Sequence, residues 1–311
     1  MHNQYEIISP ILEAKTPVVS VVVITYNHED YIRQNIESIA GQKTSYDFEI
    51  IIGEDCSTDS TREICIELQK QYPDIIRIIY SNTNVGMRTN EQRVMKAARG
   101  RYLAICEGDD YWKCENKLQR QYDYLEAHPE CAMVYHPTAR VDLNGNIFAE
   151  PLRPKFGYTE PFDMIKLLSL SCGIHTSAMF FRTEANAGTP PRWFEEAPVG
   201  DVPLRLLVTS FGKIGFIDEE MSARRMWVPG SWTDRSNAND WHKRRKRYMQ
   251  SIRMWNDFDK WTDYKYTKLI APKKRRLYKK LIRSWFSCCL GKFICGNFNP
   301  GKQSKGCTDA G

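Results

Sequence analysis

The sequence predicts an α/β fold with a mostly parallel central sheet flanked by helices. Two observations carry that prediction: short apolar runs alternate with longer helix-like stretches over the first 140 residues, and the runs are apolar on both faces. The first, Val18 to Ile24, is interrupted only by Ser20, so it reads as a strand covered on both sides. Phe48 to Ile52, Ile75 to Tyr80 and Tyr102 to Cys106 repeat the pattern. Between them Tyr31, Ile32, Ile36 and Ile39 recur at helical spacing, as do Ile64, Cys65 and Leu68 after the start signal Ser57-Thr58-Asp59. Strands alternating with helices imply right-handed crossovers and parallel pairing. The second half is less regular. A tight turn falls at 142–146, prolines punctuate 151–161 and 190–203, Asp201 to Phe211 reads as a helix closed by Gly212, and Lys213 to Ile217 reads as a strand.

At 311 residues the chain is long enough for one α/β domain with an appendage. The expected division is an N-terminal extension over 1–16, the α/β domain over 17–235 in halves 17–112 and 113–235, and a basic, helical C-terminal region over 236–311. Charge is uneven. The chain holds 44 Lys and Arg against 38 Asp and Glu, yet His242 to Arg283 alone holds 16 against three, so the remainder is net acidic. No charged N-terminal region precedes an apolar run, and no stretch reaches roughly 18 apolar residues, which argues against a secretory signal and a spanning helix. The ten cysteines are scattered, with Cys65, Cys106, Cys131 and Cys172 in apparent strands and helices, as reduced thiols would be. Cys288, Cys289, Cys295 and Cys307 cluster without metal-ligand spacing. The expected location is the cytoplasm, with peripheral attachment to the cytoplasmic face of the inner membrane left open.

In an open parallel sheet, ligands bind beyond the carboxyl ends of the strands. Each apolar run ends there in a polar cluster: Thr25-Tyr26-Asn27, then Glu54-Asp55-Cys56-Ser57-Thr58-Asp59, then Asn82-Thr83-Asn84-Val85-Gly86, then Glu107-Gly108-Asp109-Asp110. Two of these also have purely structural readings, as a strand-end turn and as a helix N-cap. The acidic cluster resists one, because three carboxylates after a buried strand repel one another unless a cation or donors neutralise them. Its oxygens suit Mg²⁺ or Mn²⁺, which complete their shells with phosphates and water; a solvated acidic loop is the alternative.

In order and spacing these four segments resemble the family 2 glycosyltransferases of the GT-A fold, over about residues 17 to 235, and most nearly the bacterial members that build surface polysaccharides. The resemblance implies an inverting transferase that moves a sugar from a nucleotide diphosphate sugar, UDP-linked, to a hydroxyl of a glycan or lipid-linked oligosaccharide, with Mn²⁺ or Mg²⁺ on the diphosphate. It implies that Tyr26 and Asp55 hold the base, that Glu107 faces the ribose and that Asp109 ligates the metal. The expected nucleotide-sugar contacts are Thr25, Tyr26, Asn27, Asp55, Asn84, Arg93, Glu107, Gly108 and Asp109, and the expected metal ligands are Asp109 and Asp110. Arg93 and Arg88 are either phosphate contacts or exposed helix arginines. The chain departs from the pattern with Glu54 where Asp is usual, Cys56 where Gly is common and Glu107 at the first position of the Asp-X-Asp motif.

Inversion requires an acceptor-side carboxylate to take the hydroxyl proton. Asp201, in Val199-Gly200-Asp201-Val202-Pro203, resembles the family's base and is equally a good helix cap; Glu195 and Glu196 are held in reserve. Many relatives carry a further metal-binding His downstream, and Met226 stands where it would fall. His175 reads as an acceptor-side or structural histidine, and Trp227 and Trp232 as sugar-stacking or core. The basic tail, with Tyr248, Trp255, Tyr278, Leu281, Ile282, Trp285 and Phe286 among its charges, suits an anionic membrane surface or a solvated helical face; no nucleic-acid recognition module accompanies it. A non-catalytic nucleotide-sugar-binding or scaffold subunit is the alternative function. A nucleotidyltransferase would need a Gly-rich basic loop after the first strand, where the sequence has Thr25-Tyr26-Asn27-His28 instead.

Overall fold

The computed structural model describes residues 4–153, 160–169, 173–186, 190–231 and 241–296. Trp232, Cys172 and Cys307 lie outside the described residues, as do the side chains of Trp285, Phe286, Cys288, Cys289 and Cys295. The chain divides into two compact units, Met1–Asn237 and Ala238–Gly311.

The first unit runs β1 (Gln4–Ile7), α1 (Pro10–Glu13), β2 (Val19–Thr25), α2 (Ile32–Ala40), β3 (Phe48–Glu54), α3 (Thr61–Gln71), β4 (Ile76–Ser81), α4 (Met87–Ala97), β5 (Tyr102–Ile105), β6 (Tyr111–Trp112) and α5 (Lys117–Ala127). It continues with β7 (Cys131–Tyr135), β8 (Thr138–Val141), β9 (Ile147–Leu152), α6 (Met164–Ser169), β10 (Phe180–Arg182), α7 (Arg192–Glu195), α8 (Asp201–Thr209), β11 (Lys213–Phe216) and β12 (Ser222–Arg225). The second unit contributes α9 (Trp241–Trp261) and α10 (Thr267–Gly296). None of the described helices is long and apolar enough to cross a membrane.

An eight-stranded sheet in the order β1-β4-β3-β2-β5-β10-β7-β11 forms the frame. The pairs β4-β3, β3-β2, β2-β5 and β7-β11 are parallel, and β10 lies antiparallel between β5 and β7. The four apolar runs are therefore the adjacent strands β2 to β5, and their carboxyl ends share one edge. Gln4–Ile7, within the expected N-terminal extension, caps the sheet as an antiparallel edge strand on β4. Helix α2 buries Ile32, Ile36 and Ile39 at i, i+4 and i+7, the spacing that turns one face onto the sheet. A second, four-stranded sheet in the order β6-β12-β8-β9 stands beside the first.

Lys117, in the first turn of α5, is fully buried. Its Nζ donates to Gln121 Oε1 at 2.7 Å and stands 3.9 Å from the centre of the Trp112 ring. Burial pushes its ammonium pKa down to about 7. An unfolded lysine holds its proton to roughly 10.4, so between these values the unfolded chain binds more protons and stability from this group rises with pH. Melting temperatures measured from pH 7 to 10 are expected to climb in the parent protein. In Lys117→Met the slope flattens and the melting temperature at pH 7 is higher than the parent's, since the cost of holding an amine in an apolar site is gone.

Candidate active site

At the carboxyl edge of β2 to β5, the sequence-predicted residues are joined by a dense set of bonds. Asp55, just past β3 and 2% exposed, accepts from the Val85 and Gly86 backbone N–H groups at 2.8 and 2.9 Å, one on each carboxylate oxygen. Burial pushes its carboxyl up, and these two donors and Arg93 oppose that. Gly86 has φ +85°, a left-handed conformation that a side chain resists, so glycine lets the loop turn its N–H back onto Asp55. Asn84 donates to Asp55 O at 3.0 Å and accepts from the Gly86 N–H at 3.1 Å.

Asn27 also has positive φ, at 55°, and its amide clamps the next loop: Nδ2 donates to Thr58 Oγ1 at 3.2 Å and Oδ1 accepts from the Thr58 N–H at 2.9 Å. Gly108 is fixed by proximity, because a Cβ there would stand 2.7 Å from Thr25 Oγ1 and 2.8 Å from His28 Nδ1. Arg93 turns inward: Nη2 donates to Glu54 O at 2.7 Å, Nε to Asn90 Oδ1 at 2.8 Å and Nη1 to Ser81 Oγ at 3.2 Å. Arg88 pairs with Glu91 and donates to Phe194 O.

A cavity of about 570 Å³ opens over this edge. Thr25, Tyr26, Asp55, Asn84, Glu107, Asp109, Asp110 and Asp201 all line it; Asn27, Arg93 and Gly108 do not. The reserve carboxylates Glu195 and Glu196 are exposed and outside the lining.

The acidic turn is organised from several elements. Asn35 of α2, fully buried, shares its Nδ2 hydrogens among Cys106 Sγ at 3.2 Å, Glu107 O at 2.8 Å and Asp110 O at 2.8 Å. Asp110 Oδ1 accepts from the Arg225 N–H at 2.8 Å. The Arg225 guanidinium donates to Asp109 O, to Leu143 O and to Gln34 Oε1, and lies over the Tyr31 ring. Glu107 accepts a short hydrogen bond from Thr176 on Oε1, while Oε2 is buried without a partner.

Glu107, Asp110 and His175 each offer a ligand atom, all within 4.8 Å of one another. Burial, with Asp109 adding repulsion, pushes the Glu107 carboxyl up to about 7 and the Asp110 carboxyl well above the usual range. Burial, with Arg224 and Arg205 nearby, holds His175 well below its ordinary value, leaving the neutral imidazole that a metal requires. Two desolvated carboxylates, one of them with an orphaned oxygen, and a neutral imidazole are a donor set that fits a divalent cation. Met226 lines the cavity, and the histidine of this cluster comes from the 175 loop.

His28 and Glu91 are among the lining residues that the sequence did not mark as site residues. Glu91 in particular sits on α4 with its carboxylate where a Cβ on Gly200 would be only 2.6 Å away, so it backs the loop that carries Asp201. Arg88, read from the sequence as a phosphate contact or an exposed helix arginine, is largely buried and pairs with Glu91 one turn on.

An open, mostly parallel sheet with carboxylates gathered at its carboxyl edge is an α/β architecture whose ligand crevice lies beyond the strand ends. Residues 20–186 match glycosyl transferase family 2, and the chain belongs to that family. An uncharacterized protein of Mycobacterium tuberculosis (strain ATCC 25618 / H37Rv) is 34% identical over 217 residues, covering 68% of this chain and 60% of the relative. The chain thus spans about 60% of the length of such curated relatives. Among solved structures, the mannosyltransferase PcManGT of Pyrobaculum calidifontis, in complex with GDP-Man and Mn²⁺, superposes with TM-score 0.56 at 14% identity, covering 94% of this chain and 78% of that one. TarS 1-349 of S. aureus, in complex with UDP-GlcNAc, does so with TM-score 0.55 at 17% identity, over 80% and 72%. Both likenesses are of fold.

Proposed function

We propose that this protein is an inverting glycosyltransferase that moves a sugar from a UDP-sugar to a hydroxyl of a glycan or lipid-linked oligosaccharide. The observation that carries the reading is that one cavity gathers Tyr26, Asp55 and Asn84 with the Glu107, Asp110 and His175 cluster and with Asp201. Tyr26 stacks on the base, and Asp55 and Asn84 hydrogen-bond it. Arg93, bonded beneath Glu54 and beside Asp55, acts as a positioning residue for the base-binding loop. Asp110 and His175, with the orphaned Glu107 oxygen and with Asp109 of the same turn, would hold Mn²⁺ or Mg²⁺, whose positive charge would offset the negative charge on the leaving diphosphate. The acceptor oxygen attacks the anomeric carbon, the bond from that carbon to the diphosphate oxygen breaks, and the hydroxyl proton passes to the Asp201 carboxylate.

Binding tests this reading without an acceptor. UDP with MnCl₂ is expected to raise the melting temperature of the protein, a ligand at 100 times its Kd adding about 2.7 kcal/mol of stability. EDTA removes most of the shift. Asp55→Ala weakens UDP binding at least about tenfold by calorimetry, because the Val85 and Gly86 N–H groups lose the acceptor that shapes the loop. A parent protein indifferent to UDP, with or without the metal, would sink the reading.

A further inference from the structure

The cavity has a wall that the donor does not account for. Trp227 lines it and is 60% exposed, with its ring 4.5 Å from that of Phe148, itself 42% exposed. Phe148 lies on β9, the edge strand of the smaller sheet, where Ile147 beside it is 62% exposed. An aromatic pair on a sheet edge invites unwanted association unless it has a use.

The backbone at Trp227 is a second, independent observation. Its φ is +63°, a left-handed conformation that costs a bulky residue stability and that glycine adopts freely. Such strain persists where the surroundings hold it in place, and it clusters at ligand-binding positions. Here the hold is visible: the Met226 N–H donates to Val141 O at 2.9 Å, and Arg225 is tied to Asp110. The strand that fixes the acidic turn thus also aims Trp227, two residues further on, into the same cavity that Asp201 lines.

We propose that Trp227 and Phe148 form the acceptor platform, taking a saccharide whose apolar C–H face stacks on the Trp227 indole and whose next ring extends over Phe148. This rests on the glycosyl-transfer reading and names its acceptor as a pyranoside chain of at least two rings. An indole offers a flat apolar face with a hydrogen-bonding edge, which matches a sugar ring apolar on its face and hydroxylated at its rim. The chain then runs outward over the open edge of β9, so a long glycan needs no enclosed groove.

The test is saturation-transfer NMR on the full chain with UDP and MgCl₂ present, using methyl glycosides of glucose, galactose, mannose and N-acetylglucosamine as probes. At least one glycoside is expected to bind the parent. Trp227→Gly lowers its affinity about tenfold or more and Trp227→Phe retains most of it. UDP binding survives in both, and the Gly variant melts at or above the parent temperature because the left-handed strain is relieved. Equal glycoside binding by Trp227→Gly overturns the proposal, as does a parent that binds UDP but no glycoside. A variant that loses UDP and keeps the glycoside overturns it by assigning Trp227 to the base. A concentration-dependent dimer abolished by Phe148→Ala overturns it by assigning the face to a second copy. A parent that fails to bind UDP at all is a failure of the transferase reading itself.

Discussion

Asp201→Asn protein is expected to bind UDP with MnCl₂ as tightly as the parent and to transfer sugar more slowly by a factor of about 10²–10⁴, the usual worth of a positioned general base. Asp201 opens α8, its side chain 41% exposed to the cavity, and its Oδ2 accepts from Arg205 Nη2 at 3.0 Å. Arg205 Nε also donates to the Asp201 main-chain oxygen, so one guanidinium holds the residue by two atoms. Asparagine keeps an oxygen for that contact and keeps the helix start, but it cannot take a proton. The loss should therefore fall on kcat, with donor affinity and melting temperature close to the parent's. Transfer within about threefold of the parent rate would remove Asp201 from the chemistry, and Glu91 on the same cavity wall would be the carboxylate to examine next.

The second large effect lies at the opposite end of the strands. Glu49, the second residue of β3, is fully buried, and Oε1 accepts from Ser20 Oγ at 2.6 Å and from the Arg99 N–H at 3.1 Å. Its Oε2 accepts from Arg99 Nη2 at 2.7 Å and Nε at 3.0 Å, with Arg77 Nε 3.1 Å away. Arg77, 5% exposed, also reaches Glu6 of β1 at 2.8 Å and the Ala97 carbonyl. Glu49→Gln leaves two guanidinium groups facing a neutral amide in a desolvated site, a change that typically costs about 3–5 kcal/mol. Against a domain stability of roughly 5–15 kcal/mol, that is a large fraction. The urea midpoint should drop accordingly, while the folded fraction binds UDP with the parent's affinity because the cluster is at the far edge of the sheet. A midpoint unchanged by the substitution would show that the ion cluster contributes nothing net.

Much of the frame was legible because burial on both faces leaves a mark in composition. Val18 to Ile24, Phe48 to Ile52, Ile75 to Tyr80 and Tyr102 to Cys106 fall within one or two residues of β2, β3, β4 and β5. The helix opened by Asp201 and the strand after Gly212 were equally readable, since a cap, an apolar stripe and a following β-branched run act locally. The edge strand Gln4–Ile7 was not. It alternates polar and apolar residues too briefly to signal anything, and its partner β4 is about 70 residues away. The antiparallel insertion of β10 between β5 and β7 was hidden for the same reason: only three residues pair, and nothing local sets their direction.

At the site, sequence marked which residues gather and not which way each one faces. Tyr26, Asp55, Asn84, Glu107, Asp109 and Asp110 meet on one cavity, while Asn27 and Arg93 spend their donors on neighbouring loops and strands. His175 joined Glu107 and Asp110 through a contact spanning 65 residues, which no spacing rule between them could anticipate. Met226 stands where the resemblance places a histidine, and the imidazole grouped with Glu107 and Asp110, His175, comes from a different loop.

Arg225 touches chain segments that begin near Gln34 and end near Leu143, and its own backbone grips Asp110. One side chain thereby settles the relative arrangement of four stretches of polypeptide when the domain folds. The entropy of ordering the cavity wall is spent at that moment, and an arriving ligand meets a surface already shaped for it. The stretches that Arg225 ties together need no further ordering when a ligand binds.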